Sequence, residues 1–105
     1  MSAGLLPVGP FLALVREEEE RRGSMLAVTA AIEGLSLEHE GVRAVNKTCM
    51  YRRLLGWRRG FDWSTGRTPQ FVSFAVADRI VTRLVGPEGW HTRPDLAALY
   101  EDDAA

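Results

Sequence analysis

Breaks at Gly23, Gly34 and Gly86-Pro87 cut this chain into short segments, so any helical fold it adopts must be built from short helices packed together. Between the breaks the apolar residues recur at helical spacing. Pro10 suits the first turn of a helix, where a missing N–H costs nothing, and Phe11, Leu14 and Val15 follow on one face. Glu17/Arg21 and Glu18/Arg22 are i,i+4 pairs in the favourable orientation. Gly23 ends this helix, with Arg21 and Arg22 at the negative end of its dipole. Ser24 is the predicted cap of a second helix, Met25 to Glu33, which Gly34 stops. Met25, Val28, Thr29 and Ile32 share one of its faces. Helices joined by so short a turn must pack as neighbours.

The middle of the chain is open to two readings. Ser36 can cap a short helix, Leu37 to Val45, weakened by Gly41, and Asn46 can cap a further helix over 46–58. Residues 37–58 are then either one bent helix or two pieces. In either case Met50, Leu54 and Trp57 form an apolar stripe at i, i+4, i+7. Phe61-Asp62-Trp63 and Gln70-Phe71-Val72 flank a turn-rich loop, which predicts a short, wing-like β-hairpin. Ser73 caps a helix over Phe74 to Val85, with Phe74, Ala77, Ile80, Val81 and Leu84 inward. Pro94 opens a last short helix, Asp95 to Tyr100, whose Leu96, Leu99 and Tyr100 cap the core or pair two copies. The expected fold class is mainly α: a small bundle of about four to five helices, with the hairpin attached. It forms a single domain over 1–105, with flexible ends at 1–9 and 101–105.

Composition narrows the function classes. With 46% hydrophobic and 26% charged residues the chain is globular. A single cysteine, Cys49, excludes an intrachain disulfide framework and any multi-cysteine zinc site, and suits the reducing cytoplasm. Cys49 itself reads as a core residue. The apolar run from Leu5 to Val15 is too short to cross a membrane and lacks the basic start of a secretory signal. His39, His91 and Cys49 lie far apart, without the spacing of a metal site. Gly34-Leu35-Ser36 lacks the second glycine of a nucleophile elbow, and phosphate-loop and dinucleotide fingerprints are absent. The acids Glu17–Glu20 read as a solvated helix face. No cofactor, metal, membrane or small-molecule substrate is implied, and the chain is not expected to be an enzyme.

Charge is where the chain departs from the ordinary. The net charge of −1 hides a basic centre. Residues 1–42 carry −4 and residues 68–105 carry −3, whereas residues 43–67 hold Arg43, Lys47, Arg52, Arg53, Arg58, Arg59 and Arg67 against Asp62 alone. A local excess of this kind is an electrostatic footprint for a polyanion. An α-helix fits the DNA major groove, provided its exposed face carries donors. Asn46, Lys47, Thr48, Tyr51, Arg52, Arg53, Arg58, Arg59 and Arg67 are the candidate DNA-binding residues. Arg52 and Arg53 are placed to read base edges; Lys47, Arg58, Arg59 and Arg67 are placed to hold phosphates or enter the minor groove. If six cations meet phosphates, the logarithm of affinity should fall with that of salt at a slope of roughly −5.

Several patches carry a family resemblance. Tyr51-Arg52-Arg53-Leu54-Leu55-Gly56, the run from Phe71 through Ile80, and Leu84-Val85-Gly86 resemble small helix-turn-helix DNA-binding proteins of actinobacteria and their phages. Leu6-Pro7, Pro10-Phe11, the Gly23-Ser24 step and Asp95-Leu96 are similar to that group as well. The resemblance implies that Tyr51, Arg52 and Arg53 lie on the recognition helix and that Phe74, Ala77 and Ile80 belong to the core of a supporting helix. Asp78 and Arg79 match the pattern without a role that it assigns, and their charges are read as a structural salt link. The chain departs from the group in the length of Leu35 to Val45 and of Arg59 to Gln70. The function implied is sequence-specific binding of double-stranded DNA in transcription regulation, or in a phage setting a recombination directionality or accessory role. A homodimer on two half-sites is one form this takes. The alternative is a protein-interaction module on the same scaffold, with the acidic first helix and Trp57, Trp63 and Trp90 serving a partner.

Overall fold

The computed structural model describes residues 4–104, with side chains through Glu101. It is a mainly helical globule (63% helix) with seven helices and one two-stranded antiparallel sheet among the described residues. In chain order these are β1 (Leu5–Pro7), α1 (Gly9–Arg22), α2 (Met25–Glu33), α3 (Gly41–Asn46), α4 (Cys49–Arg58), β2 (Phe71–Ser73), α5 (Phe74–Leu84), α6 (Gly89–Thr92) and α7 (Pro94–Ala104).

The local start and stop signals operate much as expected in the first third. Pro10 sits in the first turn of α1, and Gly23 ends it at φ 93°, its N–H donating to the Glu19 carbonyl at 2.8 Å. Ser24 caps α2 by accepting from the Ala27 N–H at 3.1 Å, and Gly34 closes that helix at φ 69°. Both glycines occupy the left-handed region where a side chain is strained.

The 37–58 stretch is two helices, and neither begins where the caps were predicted. The Ser36 hydroxyl accepts from the Glu38 N–H and makes a turn, and α3 starts at Gly41. A Cβ at Gly41 would stand 1.7 Å from the Ser36 carbonyl oxygen, so the glycine expected to weaken a helix instead permits the close approach that opens one. Asn46 ends α3. Thr48 caps α4, its Oγ1 accepting from the Tyr51 N–H at 3.1 Å and donating to the Val45 carbonyl at 2.7 Å. Met50, Leu54 and Trp57 are buried, as the stripe required. Cys49 is exposed, correcting its assignment to the core: as the first residue of α4 it lies about 100° around the helix from Met50.

The predicted hairpin does not form. Phe61–Trp63 and Gln70–Val72 share no ladder; the loop between them has a single bridge, Asp62 to Arg67. Instead β2 pairs with β1, in the register Leu5 with Ser73, Leu6 with Val72 and Pro7 with Phe71. The physical reason is shared alternation: Leu6 and Val72 bury together while Leu5 and Phe71 face outward. The ladder is extended by Val8 N–H to the Gln70 carbonyl and Phe74 N–H to the Gly4 carbonyl. Within the 1–9 segment expected to be a flexible end, Leu5–Pro7 form a strand and Gly9 opens α1; residues 1–3 lie outside the described residues.

Ser73 caps α5 by accepting from the Val76 N–H, and Ala77, Ile80, Val81 and Leu84 turn inward. After Gly86 the short helix α6 delivers Trp90 to the core. Its ring stacks on Phe74 at 5.4 Å, meets Phe11 edge-on at 5.8 Å, and its Nε1 donates to Asp78 at 2.9 Å. α7 begins at Pro94 and continues past Tyr100 to Ala104, beyond the end predicted for it. Leu96 is fully buried, and Leu99 and Tyr100 pack against the core. Among the described residues no helix is long and apolar enough to cross a membrane.

The acidic run on α1 is not a uniform solvated face. Glu18 is 8% exposed and receives both Arg21 and Arg22, at 2.6 and 2.9 Å. Glu17 pairs with Arg93 rather than Arg21, and Glu19 with Arg58. The Arg21 hydrogen bond, reinforced by Arg22, holds the Glu18 carboxyl below its ordinary value of 4.5 although burial pushes it up. A carboxyl more acidic in the folded state stabilises it above pH 4.5, and that contribution disappears as pH falls through the folded-state value. Glu18→Gln should cost about 1 kcal/mol at neutral pH, discounted for the exposed Arg21. Thermal melts at pH 6 and pH 3 should show a smaller acid-induced loss in the variant than in the wild type. Equal losses would show that Glu18 carries no pH-linked stability.

Candidate nucleic-acid interface

Helix α4 buries one side and presents the other. With Met50, Leu54 and Trp57 inward, a rotation of about 100° per residue puts Arg52 and Arg59 on the side facing away from the core, two turns apart. Both are exposed. Arg53 lies about a quarter-turn from Arg52, half-buried on one flank, and Arg58 lies on the opposite flank. The two arginines predicted to read bases side by side therefore point in different directions.

The nine candidate residues divide by what already engages them. Asn46 and Lys47 are exposed at the end of α3, beside α4. The Thr48 hydroxyl is taken up in capping. Tyr51 is half-buried against the core. Arg58 is paired with Glu19 at 2.5 Å. Lys47, Arg52, Arg53, Arg59 and Arg67 make no ion pair among the described residues, and neither does Arg43. Arg16 and Arg83, on α1 and α5, are also without one, so unpaired cations are concentrated around α4 without being confined to it.

Two carboxylates lie close to these cations, Glu19 paired with Arg58 and Asp62 in the loop with Arg67; others are engaged further away. The Arg93 hydrogen bond holds Glu17 below its ordinary value, and Arg79 pairs with Glu33 at 2.7 Å. Asp78, expected to share a salt link with Arg79, accepts from Trp90 instead. Glu17, Glu18 and Glu19 of the acidic helix are thus paired within the molecule, while Glu20 is exposed with no ion pair among the described residues.

The loop after α4 is held against it. Phe61 N–H donates to the Gly56 carbonyl at 2.8 Å, and a Cβ at Gly56 would stand 2.7 Å from the Phe61 carbonyl oxygen. Asp62 accepts from the Ser64 N–H and hydroxyl and pairs across the turn with Arg67, whose neighbour Gly66 takes φ 72°. This arrangement fixes Trp63, 41% exposed, with the Arg52 guanidinium 5.8 Å from its ring centroid. Behind the loop a groove of about 590 Å³ opens between α4 and the sheet, lined by Arg53, Asp62, Arg67, Leu5 and Phe71 among others.

Phe61 and Phe71 were not among the candidate residues, and Trp63 only in the protein-interaction alternative, yet all three are exposed beside arginines with no ion pair among the described residues. The available signal was aromatic residues flanking a turn-rich loop, which the hairpin reading treated as strand. Of the three tryptophans, Trp57 and Trp90 belong to the core and Trp63 to the surface. No grouping of three or more His, Cys, Asp or Glu side chains suited to a metal ion occurs among the described residues. No protein-family model matches the chain, and comparison with curated proteins and with solved structures finds no similar one.

Proposed function

We propose that this protein binds double-stranded DNA through α4 and the loop over 59–67. The observation that carries the proposal is the set Lys47, Arg52, Arg53, Arg59 and Arg67, gathered on and beside one helix with no carboxylate partner among the described residues. In this proposal α3 and α4, joined by Lys47-Thr48, serve as the helix pair of a helix-turn-helix, with α4 as the reading helix. Its ten residues extend about 15 Å, enough to lie in a major groove. In this reading Arg52 meets base edges, Arg59 and Lys47 hold phosphates, and Arg53 and Arg67 engage the strand beside the loop. The sequence patches that resemble actinobacterial and phage helix-turn-helix proteins support the same assignment, and with it a cytoplasmic role in transcription regulation or as a recombination accessory factor. Dimers on paired half-sites are part of the proposal only as one mode of binding.

With Arg58 neutralised by Glu19 and Arg52 on base edges, four cations remain for phosphates, and a log–log salt slope of about −3 to −4 is expected. Anisotropy of a labelled duplex between about 50 and 200 mM salt measures it. Binding that does not respond to salt, or none at the lowest salt, would contradict the proposal. A second reading, a protein-interaction module, rests on exposed Phe61, Trp63 and Phe71, since aromatics anchor interfaces. Retention on both DNA and heparin resins, released by salt, favours the first reading; indifference to both favours the second.

A further inference from the structure

The groove between α4, the 61–68 loop and the sheet joins two arginines already assigned to a strand with an exposed aromatic rim that duplex reading does not use. Its two arginines, Arg53 and Arg67, make no ion pair among the described residues, and its acid, Asp62, is committed to the Ser64 turn. Its rim carries Phe71 and Leu5, 58% and 50% exposed, on the outward face of the β1–β2 pair. At about 590 Å³ it falls in the size range of small-ligand sites, roughly 300–1,000 Å³, far below what a duplex needs. Cations on one wall and an exposed aromatic ring on the other match a ligand with an anionic group and a flat, apolar body.

We propose that this groove holds one unpaired nucleotide next to the bound duplex, its phosphate between Arg53 and Arg67 and its base against Phe71. Any base presents a π-face, so such stacking tolerates all four. Arg53 belongs to the same helix as Arg52, so a strand leaving a duplex seated on α4 passes close to the groove. The inference rests on the duplex reading for that placement. It adds a preference for DNA with a frayed or single-stranded segment, which blunt duplex contacts do not predict.

Three labelled probes test it: a blunt hairpin duplex, the same duplex with a short single-stranded overhang, and that duplex with an abasic overhang of equal charge. The overhang with bases should bind about tenfold tighter than the abasic one. Phe71→Ala should bring that ratio close to one. Because Phe71 points away from the core, its thermal melt should remain near the wild-type curve. Equal affinity for the two overhangs overturns the inference, as does a ratio unchanged in Phe71→Ala. Displacement of the overhang by a short peptide of Glu and Leu at micromolar concentration would assign the groove to a protein partner instead. Tight binding of the overhang with none of the blunt duplex keeps a nucleotide in the groove but overturns its placement beside a bound duplex, and the duplex reading with it; binding of no probe overturns both.

Discussion

Alanine at both Arg52 and Arg59 is expected to weaken duplex binding by about 2–4 kcal/mol, or roughly 30- to 900-fold. The two guanidiniums stand on the part of α4 turned away from the core and have no carboxylate partner among the described residues, so they meet a docked duplex without first breaking an ion pair. Their removal leaves the buried stripe of Met50, Leu54 and Trp57 intact, and thermal stability should change little. The salt slope should become shallower by about one, since Arg59 is the phosphate contact of the pair and each such contact contributes about 0.9. Arg83→Ala is the control: an exposed, unpaired arginine on α5 whose loss should change affinity no more than about twofold. Titration of the three proteins with one labelled duplex checks all of this. An Arg83 effect as large as that of the pair would reduce the interaction to unspecific charge.

The largest effect on stability is expected at Trp90. Its ring is 2% exposed, stacked on Phe74 and edge-on to Phe11, and it supplies the donor that satisfies Asp78. Trp90→Ala removes the ring from a packed site and leaves a half-buried carboxylate without its partner. A cost of about 3–5 kcal/mol follows, which lowers the melting temperature by roughly 15 °C or more. Trp90→Phe keeps much of the packing and should cost less, the remainder measuring the loss of the Nε1 hydrogen bond. Calorimetry or circular dichroism melts give the comparison. A melting point within a few degrees of wild type for Trp90→Ala would mean that α6 and α7 are not cooperative with the rest of the core.

What sequence revealed and what it concealed follow from the range of the interactions. Gly23, Ser24, Gly34, Ser73 and Gly86 act on their own turns, and the helices they bound fall close to expectation. The Met50, Leu54, Trp57 stripe was equally local. Asn46 and Thr48 are both good caps two residues apart, and only the packing of Val45 into the core selects Thr48. The β1–β2 ladder joins segments more than sixty residues apart by two three-residue strands, too short to announce themselves by alternation. The carboxylates were misassigned for the same reason. Nothing in the spacing of α1 indicates that Glu17 will meet Arg93 or that Glu19 will meet Arg58, because tertiary packing brings those arginines in. The basic centre was legible as a sum of charges. Its division into an outward pair, two groove-lining arginines and a neutralised one was not.

Electrostatics ties these elements to the proposed activity. In a chain of net charge −1, three carboxylates of the acidic helix are taken up in ion pairs, while Lys47, Arg52, Arg53, Arg59 and Arg67 have no ion pair among the described residues. The most direct test is to follow backbone amide chemical shifts while titrating duplex DNA into the labelled protein. If α4 and its loop are the contact surface, the shifts should concentrate between Lys47 and Arg67 and leave the amides of α7 nearly unmoved. Shifts centred on α7 or on the exposed turns of α1, or an unchanged spectrum at saturating DNA, would contradict the account.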